Sequence, residues 1–288
     1  CFSQDMLGSR ISDSQKRSQT FKPTAHSYMK SATPSLKLIA PLSGPMIAID
    51  TVPDPVFAQR MVGDGVSIDP ISNQLIAPCE GTITQVHPSH HAVTLMSAVG
   101  LEIMMHIGID TVALKGQGFK PQVKEGQSVQ TGDSLIEFDM DYVARNSKSL
   151  LTQIVVTNGE GVELDYDLRF VHTGKDVLFT VSGEAADCSD EALDVQQAII
   201  SDPIVLANPA GLHARPAAVL AKKAKSFASA IELVCGEKSG NAKSTTAIMK
   251  MEVGAHATVL LRASGSDAGE AIEALTDEIM SGLGEEVV

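Results

Sequence analysis

Two stretches of sequence, Met104-Met105-His106-Ile107-Gly108-Ile109-Asp110 and Gly211-Leu212-His213-Ala214-Arg215-Pro216-Ala217, decide how this chain is organised. The first stretch completes an apolar run that predicts a β-strand ending at His106. The second contains a proline where the first turn of a helix tolerates one, which predicts a helix that begins beside His213. Each stretch therefore places one histidine at the end of a secondary-structure element.

The composition limits the class of protein. The 288 residues, 43% of them hydrophobic, are enough for roughly two domains with separate cores. Acidic residues outnumber basic ones by 35 to 22, and the resulting net charge of −13 argues against nucleic acid as a partner. No apolar run reaches the roughly 18 residues that span a bilayer. The scattered cysteines argue against disulfides or structural zinc and favour a cytoplasmic location; they are Cys1, Cys79, Cys188 and Cys235.

The sequence pattern divides the chain into four segments. Residues 1–35 are basic and without apolar periodicity, which predicts a disordered tail within which Met29 is a candidate start. Residues 36–182 alternate short apolar runs with turn residues, which predicts an all-β sandwich or barrel. Residues 183–199 are acidic and predict a linker. Residues 200–284 mix strand and helix patterns, which predicts a compact α+β domain.

A predicted hairpin brings two histidines together. A turn centred between Ala98 and Val99 pairs residues whose numbers sum to 197, and His91 and His106 satisfy that sum. Directly opposed residues have Cβ atoms about 5 Å apart, so one ring could bind a phosphoryl oxygen carried by the other. Two histidines also suit zinc, although no third ligand is visible at fitting spacing. The plainest alternative is a polar pair on an exposed sheet face.

His213 is predicted to lie at the mouth of a helix. The free N–H groups and the positive end of the dipole there favour an anion, and Arg215 could add a charge-assisted contact. A lone histidine is more often structural than functional, but this position beside an arginine favours a phosphoryl carrier.

Several phrases of the first half occur in the order typical of one family: Ala40-Pro41-Leu42-Ser43-Gly44, Val52-Pro53-Asp54-Pro55-Val56-Phe57, Val62-Gly63-Asp64-Gly65, His91-Ala92 and His106-Ile107-Gly108-Ile109-Asp110-Thr111-Val112. Through them, residues 39–158 resemble the glucose-type enzyme IIA of the bacterial phosphoenolpyruvate-dependent sugar phosphotransferase system. The resemblance implies an all-β sandwich or barrel with a duplicated hybrid motif.

The same resemblance implies roles for individual residues. It makes His106 the phosphorylated histidine, His91 its partner and Asp110 a nearby carboxylate. Ser89 replaces the threonine usual in the family and keeps a hydroxyl. The apolar docking patch for partner proteins includes Val56 and Phe57.

The phrase Gly-Leu-His-Ala-Arg-Pro-Ala makes residues 204–283 resemble HPr, the histidine-containing phosphocarrier of the same system, an α+β open-faced sandwich. The resemblance implies that His213 is phosphorylated, that Arg215 is its companion and that Met249 contributes to docking. In this family a serine before the second helix can be phosphorylated for regulation, and Ser244 matches that place. The alternative for Ser244 is a plain helix N-cap, which we favour.

Two further features surround that serine. Thr245 and Thr246 stand where HPr proteins commonly expose apolar docking residues, which implies weaker or adapted partner contacts. The tripeptide Met249-Lys250-Met251 matches a biotin attachment site, but a biotinyl lysine needs a hairpin tip, whereas Lys250 closes a predicted helix. No Gly-x-x-x-x-Gly-Lys-[Ser/Thr] phosphate loop occurs, so we expect phosphate to arrive from another protein.

The order of the two regions resembles multiphosphoryl transfer proteins, most closely the N-acetylglucosamine-type members, in which enzyme I follows. The resemblance implies a phosphotransferase without a cofactor, which receives phosphate from enzyme I and passes it to the IIB domain of a permease for glucose or N-acetylglucosamine. It also implies transient docking at the inner face of the membrane. The alternative is a regulator that inhibits metabolic enzymes, with zinc shared by His91, His106 and a partner. A metallohydrolase of similar barrel fold is a distant third.

Overall fold

The computed structural model describes residues 35–159, 163–182, 193 and 197–285. The predicted basic tail, apart from Ser35, lies outside the described residues, as does most of the predicted acidic linker. We call the described part of residues 35–182 the first domain and residues 197–285 the second domain. No helix in the described parts of the chain is long and apolar enough to cross a membrane.

The first domain consists mainly of strands, with two short α-helices and two 3-10 helices, Ile49–Thr51 and Thr111–Leu114. In chain order the elements are β1 (Ser35–Ile39), β2 (Gly44–Ala48), α1 (Pro55–Ala58), β3 (Asp64–Ile68), β4 (Gln74–Ile76), β5 (Gly81–Val86), β6 (Ala92–Ser97), β7 (Glu102–His106), β8 (Phe119–Pro121), β9 (Ser128–Val129), β10 (Ser134–Phe138), α2 (Met140–Asn146), β11 (Thr152–Val156), β12 (Glu163–Asp165), β13 (Phe170–Val171) and β14 (Val177–Ser182).

Strand β7 lies near the middle of the largest sheet. That sheet has the order β13-β2-β3-β11-β7-β6-β5-β9 within the described residues, and two three-stranded sheets, β1-β14-β12 and β4-β10-β8, accompany it. The pairings are antiparallel, so the predicted all-β architecture is confirmed, with α1 and α2 as additions.

The two faces of β7 serve different cores. Successive strand residues point to opposite faces, so Ile103 and Met105 share one face while Met104 and His106 share the other. Ile103 and Met105 pack in the core of the first domain. Met104 belongs instead to an apolar cluster that continues into the second domain. The face of β7 that carries His106 is therefore the face turned towards the second domain.

The second domain alternates strands and helices. Its elements are β15 (Ile199–Ile200), β16 (Ile204–Val205), α3 (Ala214–Ala224), β17 (Ala230–Cys235), β18 (Lys238–Asn241), α4 (Thr245–Lys250), β19 (Thr258–Ser264) and α5 (Ala268–Met280). The sequence predicts one strand over Ile199–Leu206. This prediction is wrong, and the structure has two short strands there instead. Pro203 lies in the break between them, and proline has no N–H to donate to a sheet.

Helix α5 lies against the sheet of the second domain. It contacts β15, β16, β17 and β19, and α3 packs against both α4 and α5. On β19, Val259, Leu261 and Ala263 alternate with less buried residues and supply the apolar face beneath the helices. The predicted α+β open-faced sandwich is confirmed.

Candidate functional site

His106 ends β7 with its ring held in one orientation. The ring Nδ1 lies 2.9 Å from the carbonyl oxygen of Gly108. A carbonyl can only accept, so Nδ1 carries the proton and Nε2 keeps its lone pair in the neutral ring. Burial lowers the pKa of His106 to about 4, although the hydrogen bond to Gly108 opposes this change. At neutral pH His106 therefore presents an uncharged imidazole with a nucleophilic Nε2.

His91 packs against His106, although not through the predicted pairing. The ring centroids are 4.6 Å apart at an interplanar angle of 74°. Across the hairpin, however, His106 pairs with Ala92, so the predicted register is wrong by one residue. The reason is the length of the turn: the N–H of Ser97 bonds the carbonyl of Leu101, which leaves three residues between them rather than two. His91 lies just before β6, and its carbonyl accepts from the N–H of Ile107 at 2.8 Å.

A third histidine, which the sequence reasoning missed, lies beside this pair. The ring of His87 is 4.4 Å from that of His91. Its Nδ1 accepts a hydrogen bond from the backbone N–H of Ser89 at 3.1 Å, which leaves the proton of the neutral ring on Nε2. Burial lowers the pKa of His87 to about 4 and that of His91 well below its ordinary value. Ser89 thus contacts the histidine cluster through its backbone.

A small cavity lies over the three rings. Its first-domain walls include Gln85, Thr94 and the three histidines; Ala214 and Met249 close it from the second domain. Gln85 Nε2 and His91 Nδ1 are buried, and neither has a hydrogen-bond partner within the described residues. Buried polar atoms are normally satisfied, so these two nitrogens are available to a polar group placed in the cavity.

His213 occupies the N-cap position of α3, as the sequence predicts. Its Nε2 lies 2.8 Å from Glu285 Oε1, and because a carboxylate only accepts, Nε2 carries the proton and Nδ1 keeps its lone pair. Burial raises the pKa of Glu285, but hydrogen bonds from His213 and Asn208 outweigh it and hold the pKa below its ordinary value. Asn208 Nδ2 donates to Glu285 Oε2 at 2.8 Å.

The loop before His213 requires glycine at one position. Gly211 has φ +72°, and a Cβ there would lie 2.1 Å from the carbonyl oxygen of Val253. Only glycine adopts this backbone without a clash. The close approach fixes the loop that carries His213 against the segment after α4.

Arg215 joins the two domains. Its Nη2 lies 2.7 Å from Asp54 Oδ2 and 3.3 Å from Asp110 Oδ1. The sequence predicts Arg215 as the companion of His213 and Asp110 as a carboxylate near His106; the structure pairs these two residues with each other. Asp54, whose role the sequence reasoning missed, also accepts from the N–H of Val56 at 2.8 Å and caps α1.

The predicted docking residues lie in the contact between the domains. Val56 and Phe57 are each 3% exposed and belong to an apolar cluster shared with the core of the second domain. The ring of Phe57 is 5.2 Å from that of His106, edge to face. Helix α1 packs against α3, and Met249 is buried beside the histidine cavity. The surface that carries His106 is thus covered by the surface that carries His213.

Ser244 serves as the N-cap of α4. Its Oγ accepts a hydrogen bond from the N–H of Ala247 at 3.2 Å, which is the plain capping geometry. Its regulatory phosphorylation stays a prediction. Lys250, the last residue of α4, contacts Glu102 of the first domain at 2.9 Å.

The described residues hold no cluster of three or more His, Cys, Asp or Glu side chains placed to bind a metal ion.

Two family models match this chain. The model for the phosphoenolpyruvate-dependent sugar phosphotransferase system, EIIA 1, matches residues 36–162, and the model for the PTS HPr component phosphorylation site matches residues 200–281. The glucose-specific EIIA component of Staphylococcus epidermidis is 41% identical over 155 residues, which are 54% of this chain and 89% of that protein.

Solved structures resemble each half of the chain. The glucose permease IIA of Mycoplasma capricolum is 38% identical, with 51% of this chain and 96% of that chain covered and a TM-score of 0.49. HPr of Thermoanaerobacter tengcongensis is 42% identical, with 31% of this chain and 98% of that chain covered and a TM-score of 0.29.

Proposed function

This chain belongs to the glucose-type EIIA family of the phosphoenolpyruvate-dependent sugar phosphotransferase system and carries an HPr domain behind the EIIA domain; from that premise we propose that it relays a phosphoryl group from His213 to His106. Both domains are phosphohistidine carriers, and the chain is accordingly a phosphotransferase of sugar transport.

One observation supports the geometry of this step: the helix mouth that bears His213 is docked on the face that bears His106. Ala214, the residue after His213, lines the same cavity as His106. Arg215, one residue further, is held by Asp54 and Asp110 of the EIIA domain. Holding donor and acceptor in one complex replaces a bimolecular encounter by an intramolecular step.

The ring nitrogens define a balanced transfer. The phosphoryl group is carried on Nδ1 of His213, since Nε2 is engaged with Glu285. The lone pair of His106 Nε2 attacks phosphorus, the His213 N–P bond breaks, and its electron pair returns to Nδ1. Neither ring has to lose a proton. The Nδ1–H of His106 remains bonded to Gly108, and the Nε2–H of His213 remains bonded to Glu285. Little is required of the protein beyond alignment and stabilisation of the phosphoryl oxygens, to which the free nitrogens of Gln85 and His91 are suited.

The steps on either side follow from the same family membership. His213 receives the phosphoryl group from phosphoenolpyruvate through enzyme I, and His106 passes it to the IIB domain of a sugar permease at the inner face of the membrane. The rival function, inhibition of metabolic enzymes, would use the same surface at Val56 and Phe57, so it requires, as transfer to the IIB domain does, that the second domain first leaves this surface.

The test is phosphorylation of the purified chain by enzyme I and labelled phosphoenolpyruvate. We expect label on both domains of the wild type, on neither domain of His213→Ala, and on the second domain alone of His106→Ala. Matched controls are His172→Ala, which removes an exposed histidine paired with Asp176, and His256→Ala in the second domain; both should behave as wild type. Label on the first domain of His213→Ala would overturn the order, and an unlabelled wild type would overturn the relay.

A further inference from the structure

The tripeptide Met249-Lys250-Met251 contains a lysine that the relay chemistry does not use. Lys250 is the last residue of α4, and its Nζ lies 2.9 Å from Glu102 Oε1 in the other domain. Glu102 begins β7, the strand that ends at His106. Positions 102, 104 and 106 of a strand share one face, so Glu102 and His106 lie on the same docking face, roughly 13 Å apart along the strand.

The EIIA domain holds Glu102 in place independently of Lys250. The Glu102 side chain is only 4% exposed. Its Oε2 accepts from Thr157 Oγ1 at 2.9 Å, and its Oε1 also lies 3.5 Å from Thr84 Oγ1. Both threonines belong to the first domain, so these two contacts do not depend on Lys250. Lys250 supplies the only cation that contacts Glu102 within the described residues.

Two ionic contacts therefore flank the histidine cavity. The second-domain walls of that cavity are Ala214 and Met249. In the sequence, Ala214 is followed by Arg215, which binds Asp54 of the first domain. Met249 is followed by Lys250, which binds Glu102 of the first domain. One contact alone would leave the docked domain free to rotate about it, whereas two contacts from different helices, α3 and α4, restrict its orientation.

We propose that the Lys250–Glu102 pair is a positioning contact that sets the orientation in which the HPr domain docks, and that it selects an EIIA domain carrying a buried glutamate at this place. The inference rests on the proposed transfer from His213 to His106. It gives Lys250 a role in partner recognition. The Lys250 side chain keeps 39% of its exposure, but Glu102 is only 4% exposed, so docking of a partner without the cation would leave a buried carboxylate unpaired.

The effect of the contact on phosphoryl transfer can be measured between two molecules, each a variant of the full-length chain. A His106→Ala chain, phosphorylated on His213, serves as donor, and a His213→Ala chain serves as acceptor, so label reaches His106 only through intermolecular docking. Lys250→Met is introduced into the donor and Glu102→Gln into the acceptor. We expect each substitution to lower the second-order transfer rate at least tenfold, and the two together to lower it hardly further, because residues in direct contact are not additive.

Two controls separate positioning from folding. Lys250→Arg retains the cation, so its second-order transfer rate should stay within about threefold of that of the unsubstituted donor. A variant with a damaged helix α4 would transfer more slowly than this. Lys120→Met in the acceptor removes an exposed lysine that lies 3.6 Å from Glu137 of its own domain and should leave the rate unchanged. Independent, multiplying losses from Lys250→Met and Glu102→Gln would overturn the contact while leaving the relay intact. Absence of transfer between the unsubstituted partners and within the wild type would overturn the proposed function and the contact with it.

Discussion

At the scale of single residues, the side chain of Gln85 lowers the stability of the folded protein. Its side-chain Nε2 is buried and has no hydrogen-bond partner in the part of the chain that the structure describes. Such a group costs about 1–3 kcal/mol relative to a satisfied one. Gln85 lines the same cavity as His91 and His106, which is where a phosphoryl group on His106 would need hydrogen-bond donors. Gln85 is therefore better matched to the phosphorylated state than to the free one.

The substitution Gln85→Leu tests whether Gln85 favours the phosphorylated state over the free one. We expect the unphosphorylated protein to gain up to about 1 kcal/mol in stability, because an unsatisfied amide is replaced by an apolar side chain of similar size. We also expect phospho-His106 to hydrolyse several-fold faster, because the phosphoryl oxygens lose a donor. Thermal unfolding measures the first effect and decay of labelled chain the second. A destabilised protein with an unchanged phosphohistidine lifetime would contradict both.

The sequence identifies some site residues and cannot identify others. His106, His91 and His213 lie in motifs, and the structure brings His91 and His106 together and docks the helix mouth of His213 over them. Glu285 and Asp54 were missed because their partners are distant in the chain: Glu285 contacts a histidine 72 residues away, and Asp54 contacts an arginine 161 residues away. His87 gave a weak signal, since it lies at the start of the short turn that His91 follows.

At the scale of elements, one carboxylate both caps a helix and joins the domains. Asp54 Oδ1 accepts from the N–H of Val56 at the start of α1, while Oδ2 binds Arg215. Helix α1 spans only four residues, so its cap matters for where Phe57 lies. The position of the docking helix and the ionic contact across the interface are therefore set by the same side chain.

Two substitutions at Asp54 separate these roles. Asp54→Asn keeps an oxygen that can cap α1 but removes the charge that binds Arg215, so we expect little loss of stability and a transfer to His106 slowed at least tenfold. Asp54→Ala removes both contacts and should also lower stability by about 1 kcal/mol.

Asp139→Ala is the matched control, because Asp139 caps α2 through the N–H of Tyr142 at 2.9 Å. We expect this variant to lose stability without slowing the transfer, as seen by denaturant unfolding and single-turnover phosphoryl transfer. Equal transfer rates for Asp54→Asn and wild type would show that the Arg215 contact is dispensable.

Sequence periodicity located most of the strands but not their details. Alternation predicts Gly81–Val86 and Ala230–Cys235 as strands, and both are observed with these bounds. Helix α1 was missed because four residues are too few to show a helical period. The register of the β6–β7 hairpin was wrong by one because the turn has three central residues, a length that the composition does not fix.

At the scale of the whole molecule, three buried histidines make stability depend on pH. The pKa values of His87 and His106 are lowered to about 4, and that of His91 is lowered well below its ordinary value, mainly by burial. An unfolded histidine has a pKa of about 6.5. Below that pH the unfolded chain binds more protons than the folded one, so stability is complete above about pH 6.5 and falls as the pH drops towards 4.

We expect the free energy of unfolding to decrease by about 1 kcal/mol per histidine between pH 7.5 and pH 5.5, as denaturant unfolding at several pH values would show. His87→Phe removes one of the three groups and should reduce the dependence by about a third. An identical dependence in that variant would exclude His87 as a contributor.

The hydrogen bonds around Glu285 bear on how this protein can be labelled. This residue lies after the last helix and closes on His213 and Asn208. A fluorescent reporter or affinity peptide inserted next to Glu285 would lie beside the residue that is hydrogen-bonded to the ring of His213. A sensor of sugar uptake built on this chain should therefore carry its label at an exposed loop of the first domain, such as the turn at Val99.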